Sequence, residues 1–194
     1  MDRDSELALV ARLRAGDPDA FDAVHAAFNS RLFGFLARLA RSRDVAEDLL
    51  EETWLRCVSR ARHLRPDTQL GPWLFTVARN LYLSYCRSRL IEDSRVADLI
   101  SLWPAVSARS SPFEATAANE FQRRLEAAIA SLPGPYREVL LLVAIEGLTP
   151  AEAAVVCEIT PEALRQRLSR ARAQLAKRLD DSGPTATVLT EVMS

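Results

Sequence analysis

Apolar residues recur at three- and four-residue steps along almost the whole chain, and strict apolar–polar alternation is absent. Steps of three and four keep side chains on one face of a helix, whereas alternation would line one face of a strand. This period confines the chain to an all-α fold. Only 6 glycines in 194 residues, with many Ala, Leu, Arg and Glu, point the same way.

Start and stop signals divide the pattern into elements. A first helix is expected from about Asp4 to Ala15, ending at Gly16. In GDPDAF, Asp17 suits an N-cap and Pro18 the first helical position. Phe21, Val24, Phe28, Leu32, Phe35, Leu36 and Leu39 then carry a second helix to about Arg41. SRDVAEDLL opens a third, with Asp44 and Glu47 spaced like a capping box. Its expected buried stripe is Ala46, Leu49, Leu50, Thr53, Trp54, Cys57 and Val58. HLRPDTQLGP reads as a loop. A fourth helix is expected from about Pro72 to Arg89, burying Leu74, Val77, Ala78, Leu81 and Tyr85.

Over residues 90–116 the period fades and Ser and Pro accumulate, as in SARSSPFEAT. This stretch reads as a flexible linker with room for a short helix around Val96 to Leu102, and with Trp103 docked on a neighbouring domain or a partner. It separates two small helical domains, residues 1–89 and 117–179, and residues 180–194 form a loosely ordered tail. In the second domain, helices are expected over Ala118 to Ser131 and Tyr136 to Glu146, with LPGP between them. Thr149-Pro150-Ala151-Glu152 starts a short helix to Cys157, and Thr160-Pro161-Glu162-Ala163 repeats the same signal after a turn at Glu158-Ile159. Two helices so joined have the helix-turn-helix shape.

The last helix lies in ITPEALRQRLSRARAQLAKRL, which holds Arg165, Arg167, Arg170, Arg172, Lys177 and Arg178 against one acid, Glu162. The whole chain has 25 basic and 26 acidic residues, so this charge is local rather than global. Leu164, Leu168, Ala171, Leu175 and Leu179 make the expected buried stripe. Gln166, Ser169, Arg170, Ala173 and Lys177 lie opposite it, flanked by Arg165, Arg167, Arg172 and Arg178. A charge run is most often a solvated face. Here the near absence of acids within the helix leaves scarcely any ion pairs, and the excess points to DNA. The third helix shows the reverse: Glu47 and Glu51, and Asp48 and Glu52, stand four apart and repel by a few tenths of a kcal/mol per pair. Arg56 reaches only Glu52. Physics alone weighs a solvated face and a partner surface equally there.

Several function classes fall away. No apolar run approaches the roughly 20 residues that cross a bilayer, and MDRDSELALV opens with charges, so neither signal peptide nor membrane insertion is expected and the setting is cytoplasmic. Cys57, Cys86 and Cys157 are far apart and lack CxxC spacing, which fits reduced thiols. His25 and His63 have no cysteine or acid at ligand spacing, so no metal or cofactor is expected. No P-loop, nucleophile elbow or His-paired acids suggest an enzyme.

Taken in order, AGDPDAFDAVHAAF, RDVAEDLLEETWLR, GPWLFTVARNLYLSYCR, LPGPYREVLLLVAIEGLTPAEAA and RQRLSRARAQLAKRL resemble the sigma-70 family over about Leu7 to Leu179. The likeness is specifically to the short extracytoplasmic-function (ECF) RNA polymerase sigma factors. It implies sigma region 2 at residues 1–89 and region 4 at residues 117–179. By resemblance, Asp44, Glu47, Asp48, Glu51 and Glu52 would face the coiled coil of the polymerase β′ subunit. The loop from His63 to Leu70 and the helix after it would capture unstacked −10 bases, with Arg62, His63, Arg65, Trp73, Arg79 and Asn80 as candidates. Arg165, Gln166, Arg167, Ser169 and Arg170 would read the −35 element, and Tyr136 to Gly147 would help form the surface for the β flap. An anti-sigma factor is an implied partner.

Two departures stand out. The family often has Leu-Gly in the helix-turn-helix turn and Gly-Thr at the second helix start, where this chain has Cys157-Glu158 and Glu162-Ala163. A positive φ costs most side chains about 1 kcal/mol. The −10 loop also begins HLRP, without the aromatic residue common there. The expected function is a promoter-specificity subunit. The alternative, a polymerase-independent helix-turn-helix regulator, predicts a dimer on a palindrome and leaves the acidic helix and WLFTVARN unexplained.

Overall fold

The computed structural model describes residues 3–96 and 117–181, and every regular element within them is helical. The chain divides into two compact units, residues 1–108 and 109–194. The expected short helix near Leu102, Trp103 and the tail from residue 182 lie outside the described residues.

The first unit contains α1 (Arg3–Ala15), α2 (Pro18–Ala40), α3 (Arg43–Arg60), a 3-10 turn (Ala61–His63) and α4 (Leu70–Val96). Gly16 turns the chain between α1 and α2 at φ +79°, a conformation open to glycine at no steric cost. Asp17 then caps α2 by accepting from the Asp19 N–H at 3.0 Å, while its second oxygen accepts from Arg12 Nε at 2.7 Å. That bond from Arg12 holds the Asp17 carboxyl below its ordinary range. Val24, Leu32, Phe35 and Leu36 of α2 are fully buried against Leu70, Leu74, Phe75 and Ala78 of α4. Phe35 and Phe75 meet edge to face at 5.2 Å. Each such burial contributes about 1.5–3 kcal/mol, so α2 is the central strut of the bundle.

Several expectations change in this unit. Leu50, Val77 and Tyr85, expected to be buried, are only half-buried. Ser42, not Asp44, caps α3: its hydroxyl accepts from the Val45 N–H at 3.4 Å. Arg41 ends α2 in the left-handed region at φ 56°, which sets Ser42 extended and makes Arg43 the first helical residue. Glu47 therefore pairs with Arg43 at 2.8 Å instead of closing a box with Asp44. Val58 is 56% exposed rather than part of the buried stripe. It lies about 120° around the helix from Ala46, on the shoulder of the face. Finally, α4 begins at Leu70 and continues to Val96, past the expected end at Arg89. Pro72 is tolerated because first-turn N–H groups have no partner within the helix.

The second unit contains α5 (Ala117–Ser131), α6 (Gly134–Leu140), a π-helical turn (Leu141–Ile145) that prolongs α6, α7 (Pro150–Cys157) and α8 (Pro161–Asp181). Arg137 is buried, and its guanidinium donates to the carbonyls of Ile129, Ala130 and Leu132 at 3.2, 2.6 and 2.8 Å. It closes the C-terminal end of α5, whose last carbonyls have no helical donors. Thr149 and Glu152 form the full capping box of α7. Thr160 Oγ1 caps α8 by accepting from the Ala163 N–H at 3.2 Å. Leu164, Leu168, Ala171, Leu175 and Leu179 are all buried, as the four-three-four-four spacing requires.

Candidate nucleic-acid interface

Burial of that leucine stripe fixes which way the rest of α8 points. Arg165, Gln166, Ser169 and Arg170 are exposed on the opposite side, with Arg167 half-buried on a flank. Among the described residues, the side chains of Gln166, Ser169 and Arg170 make no hydrogen bond or ion pair, so they are free for a ligand. The helix is not wholly without internal pairing, however. Arg165 Nη2 meets Glu162 Oε1 at 2.8 Å, one turn apart and exposed to solvent. Such pairs contribute little to stability, but this one directs the Arg165 guanidinium back along its own helix. Arg178 donates to the Gln174 carbonyl and side chain at 3.2 and 3.3 Å. The outward face therefore consists of Gln166, Ser169 and Arg170, with Lys177 also exposed two turns on.

In the first unit, the 3-10 turn and the loop before α4 carry Arg62, His63 and Arg65, all exposed. They do not form one uniform patch. Arg62 leans back over Gly16, where an added Cβ would stand 3.2 Å from its Nη2. It lines a cleft of about 300 Å³ with Leu13, Phe21, Asp22 and Val58. Arg65 grips the Asp67 carboxylate through Nε and Nη2 at 3.1 and 3.2 Å. Trp73 and Asn80 on α4 are half-buried. Arg79 is only 8% exposed, so its guanidinium does not face solvent here; its position on the packed side of α4 puts it among the bundle contacts.

Sequence reasoning missed two residues at this loop. Arg3 Nη2 donates to the Asp67 carbonyl at 2.8 Å, and Glu6 Oε1 accepts from the Leu70 N–H at 2.8 Å. Contacts across 64 positions leave no local signature.

Helix α3 presents Asp44, Glu47, Asp48 and Glu51 to solvent, with Glu52 half-buried. Glu47 pairs with Arg43 and Glu52 with Arg56, at 2.8 and 2.9 Å. Asp44, Asp48 and Glu51 have no partner among the described residues. Leu55, 61% exposed, and Val58 extend this same face by one more turn, making it acidic at one end and apolar at the other. The sequence held a signal for Leu55, which stands seven residues after Asp48, off the buried stripe.

Comparison with known proteins places both units. Residues 24–90 match the Sigma-70 region 2 family, and residues 122–175 match Sigma-70, region 4. The chain is 36% identical over 162 residues to the ECF RNA polymerase sigma factor EcfG of Rhodopseudomonas palustris, covering 81% of this chain and 86% of that one. It is 31% identical over 172 residues to the RNA polymerase sigma factor CarQ of Myxococcus xanthus, covering 88% and 95%. In fold it is similar to the sigma factor RpoE in the co-crystal structure with the anti-sigma factor NepR from Bartonella quintana. That match has a TM-score of 0.67 at 24% identity and covers 82% of this chain and 96% of the other. Two helical units in this order, a helix-turn-helix with its polar face outward, and relatives matched over most of their length lead to one conclusion: the chain belongs to the sigma-70 family, in its ECF class of RNA polymerase sigma factors.

Proposed function

We propose that this chain binds core RNA polymerase and directs it to particular promoters, with α3 as the polymerase-facing helix and α8 as the −35 reader. One observation carries the reading: a face of unpartnered acids on α3 and a face of unpartnered Gln166, Ser169 and Arg170 on α8 belong to one chain. Uncompensated acids ending in exposed Leu55 and Val58 suit a protein surface that is basic and apolar, the role assigned to the β′ coiled coil. Gln and Arg on the outward face of a helix-turn-helix suit base edges in the major groove. Thr160, Pro161 and Glu162 at the start of α8 are exposed, which leaves the partly positive end of the helix open to a phosphate.

In the first unit, the loop at His63 and Arg65 with Trp73 and Asn80 would capture separated −10 bases by stacking and polar contact. The segment from Tyr136 to Gly147 would support the β flap. Nothing in this scheme makes or breaks a covalent bond, so the protein acts as a specificity subunit rather than an enzyme. Its site of action is the cytoplasm, where the polymerase works. No helix among the described residues is long and apolar enough to cross a membrane. The relative RpoE is bound by an anti-sigma factor, and the same class of regulator is proposed for this chain.

Run-off transcription with core polymerase and a promoter library tests the reading. Promoter-dependent transcripts are expected. Duplex binding with no stimulation of core would favour a polymerase-independent regulator instead.

A further inference from the structure

The −10 loop is held from a distance by the first helix. The Leu70 N–H opens α4 and is one of the four that no carbonyl of its own helix can satisfy. Glu6 Oε1 satisfies it at 2.8 Å, placing a negative charge at the partly positive end of α4. The other oxygen of Glu6 accepts from Arg3 Nη1 at 2.7 Å, and Arg3 Nη2 donates to the Asp67 carbonyl at 2.8 Å. Asp67 in turn receives both contacts from Arg65, and the Thr68 N–H closes on the Arg65 carbonyl at 3.1 Å. One ion pair on α1 thus secures both ends of the short stretch from Asp67 to Leu70. Helix α1 is itself seated by Val10 and Leu13, which are 0% and 2% exposed.

We infer that α1 is a positioning element for the −10 loop, and that Glu6, which touches no DNA, sets the loop conformation needed to hold an unstacked base. The inference rests on the proposed −10 role of this loop. A base leaves the duplex only when the site receiving it offers more than stacking did, so a loop already in its receiving shape favours opening. Residues holding that shape need not contact the base; they work through the groups they orient. Loss of Glu6 then weakens base capture while α3 and α8 remain as they were.

The test uses the full chain with core polymerase. The promoter is one recovered by run-off selection, carrying 2-aminopurine in the non-template −10 strand. Glu6→Ala is expected to lower the opening equilibrium about tenfold, the size of a lost helix cap. Core affinity and binding to a duplex bearing only the −35 element should stay unchanged. Glu6→Gln retains an oxygen for the Leu70 N–H and is expected to recover most of the opening. Wild-type opening in Glu6→Ala overturns the inference, as does a parallel loss of core affinity and opening. If Glu6→Ala does not fold, Arg3→Ala decides: reduced opening with full core affinity supports the latch, and normal opening sinks it. The variant His63→Ala, outside the latch, separates the latch from the reading beneath it. Normal opening there overturns both, whereas impaired opening beside a normal Glu6→Ala removes only the latch.

Discussion

Glu158 occupies the tightest point of the helix-turn-helix, at φ 55° and ψ 43°. Its N–H and that of Ile159 return to the Val155 and Ala154 carbonyls at 3.1 Å each, so the left-handed turn closes α7 despite the side chain. Glycine adopts this conformation without the Cβ clash, but it also gains freedom in the unfolded chain. Glu158→Gly is therefore expected to stabilise the second unit by about 0.5–1 kcal/mol, seen as a higher denaturant midpoint. Cys57 poses a different single-residue question. Burial pushes its thiol up from 9.0 to about 12. The unfolded thiol ionises first as pH rises, so its contribution to stability is intact below pH 9 and lost between pH 9 and about 12. Denaturant titrations of wild type and Cys57→Ala across that window should differ in slope, with the variant the flatter. At pH 8, alkylation of the folded protein is expected at the half-buried Cys86 and not at the buried Cys57 or Cys157.

Element by element, the helices show why some faces were legible from residue spacing alone. The α8 stripe follows a three-four period unbroken from Leu164 to Leu179, and burial follows it residue for residue. Val58 on α3 breaks the same rule because spacing gives only angle around the axis, while neighbouring helices decide how wide the covered arc is. The start of α3 departs from the spacing for a related reason. Ser42 and Asp44 both suit a cap, and the left-handed Arg41 before Ser42 settles between them. Charge on α8 also depends on rotamer as well as position. Glu162 holds Arg165 in an exposed pair, which removes one cation from the set proposed to face DNA. Glu162→Ala is expected to tighten duplex binding and to steepen its salt dependence by about one released counterion. Titrations at several salt concentrations would reveal this; an unchanged slope would mean that Arg165 never meets a phosphate.

For the whole molecule, a net charge of −1 conceals two faces of opposite sign on different units. The segregation predicts separable defects. Asp48→Lys with Glu51→Lys reverses two acids that have no partner among the described residues, so it should leave thermal stability unchanged or slightly improved. Core affinity should fall roughly tenfold, and run-off transcription with it, while binding to a −35 duplex is retained. Unimpaired core affinity, measured by fluorescence anisotropy, would remove α3 from the polymerase interface. The sequence by itself determined the all-α class, the helix-turn-helix with its outward face, and the clustering of acids on α3. These depend on periods of a few residues, which a helix converts directly into direction. Only the tertiary structure decided that Arg79 is buried, that Arg62 lies over Gly16, and that Arg3 and Glu6 secure the loop before α4. Those depend on which distant segments meet, and no local spacing encodes a contact across 64 residues.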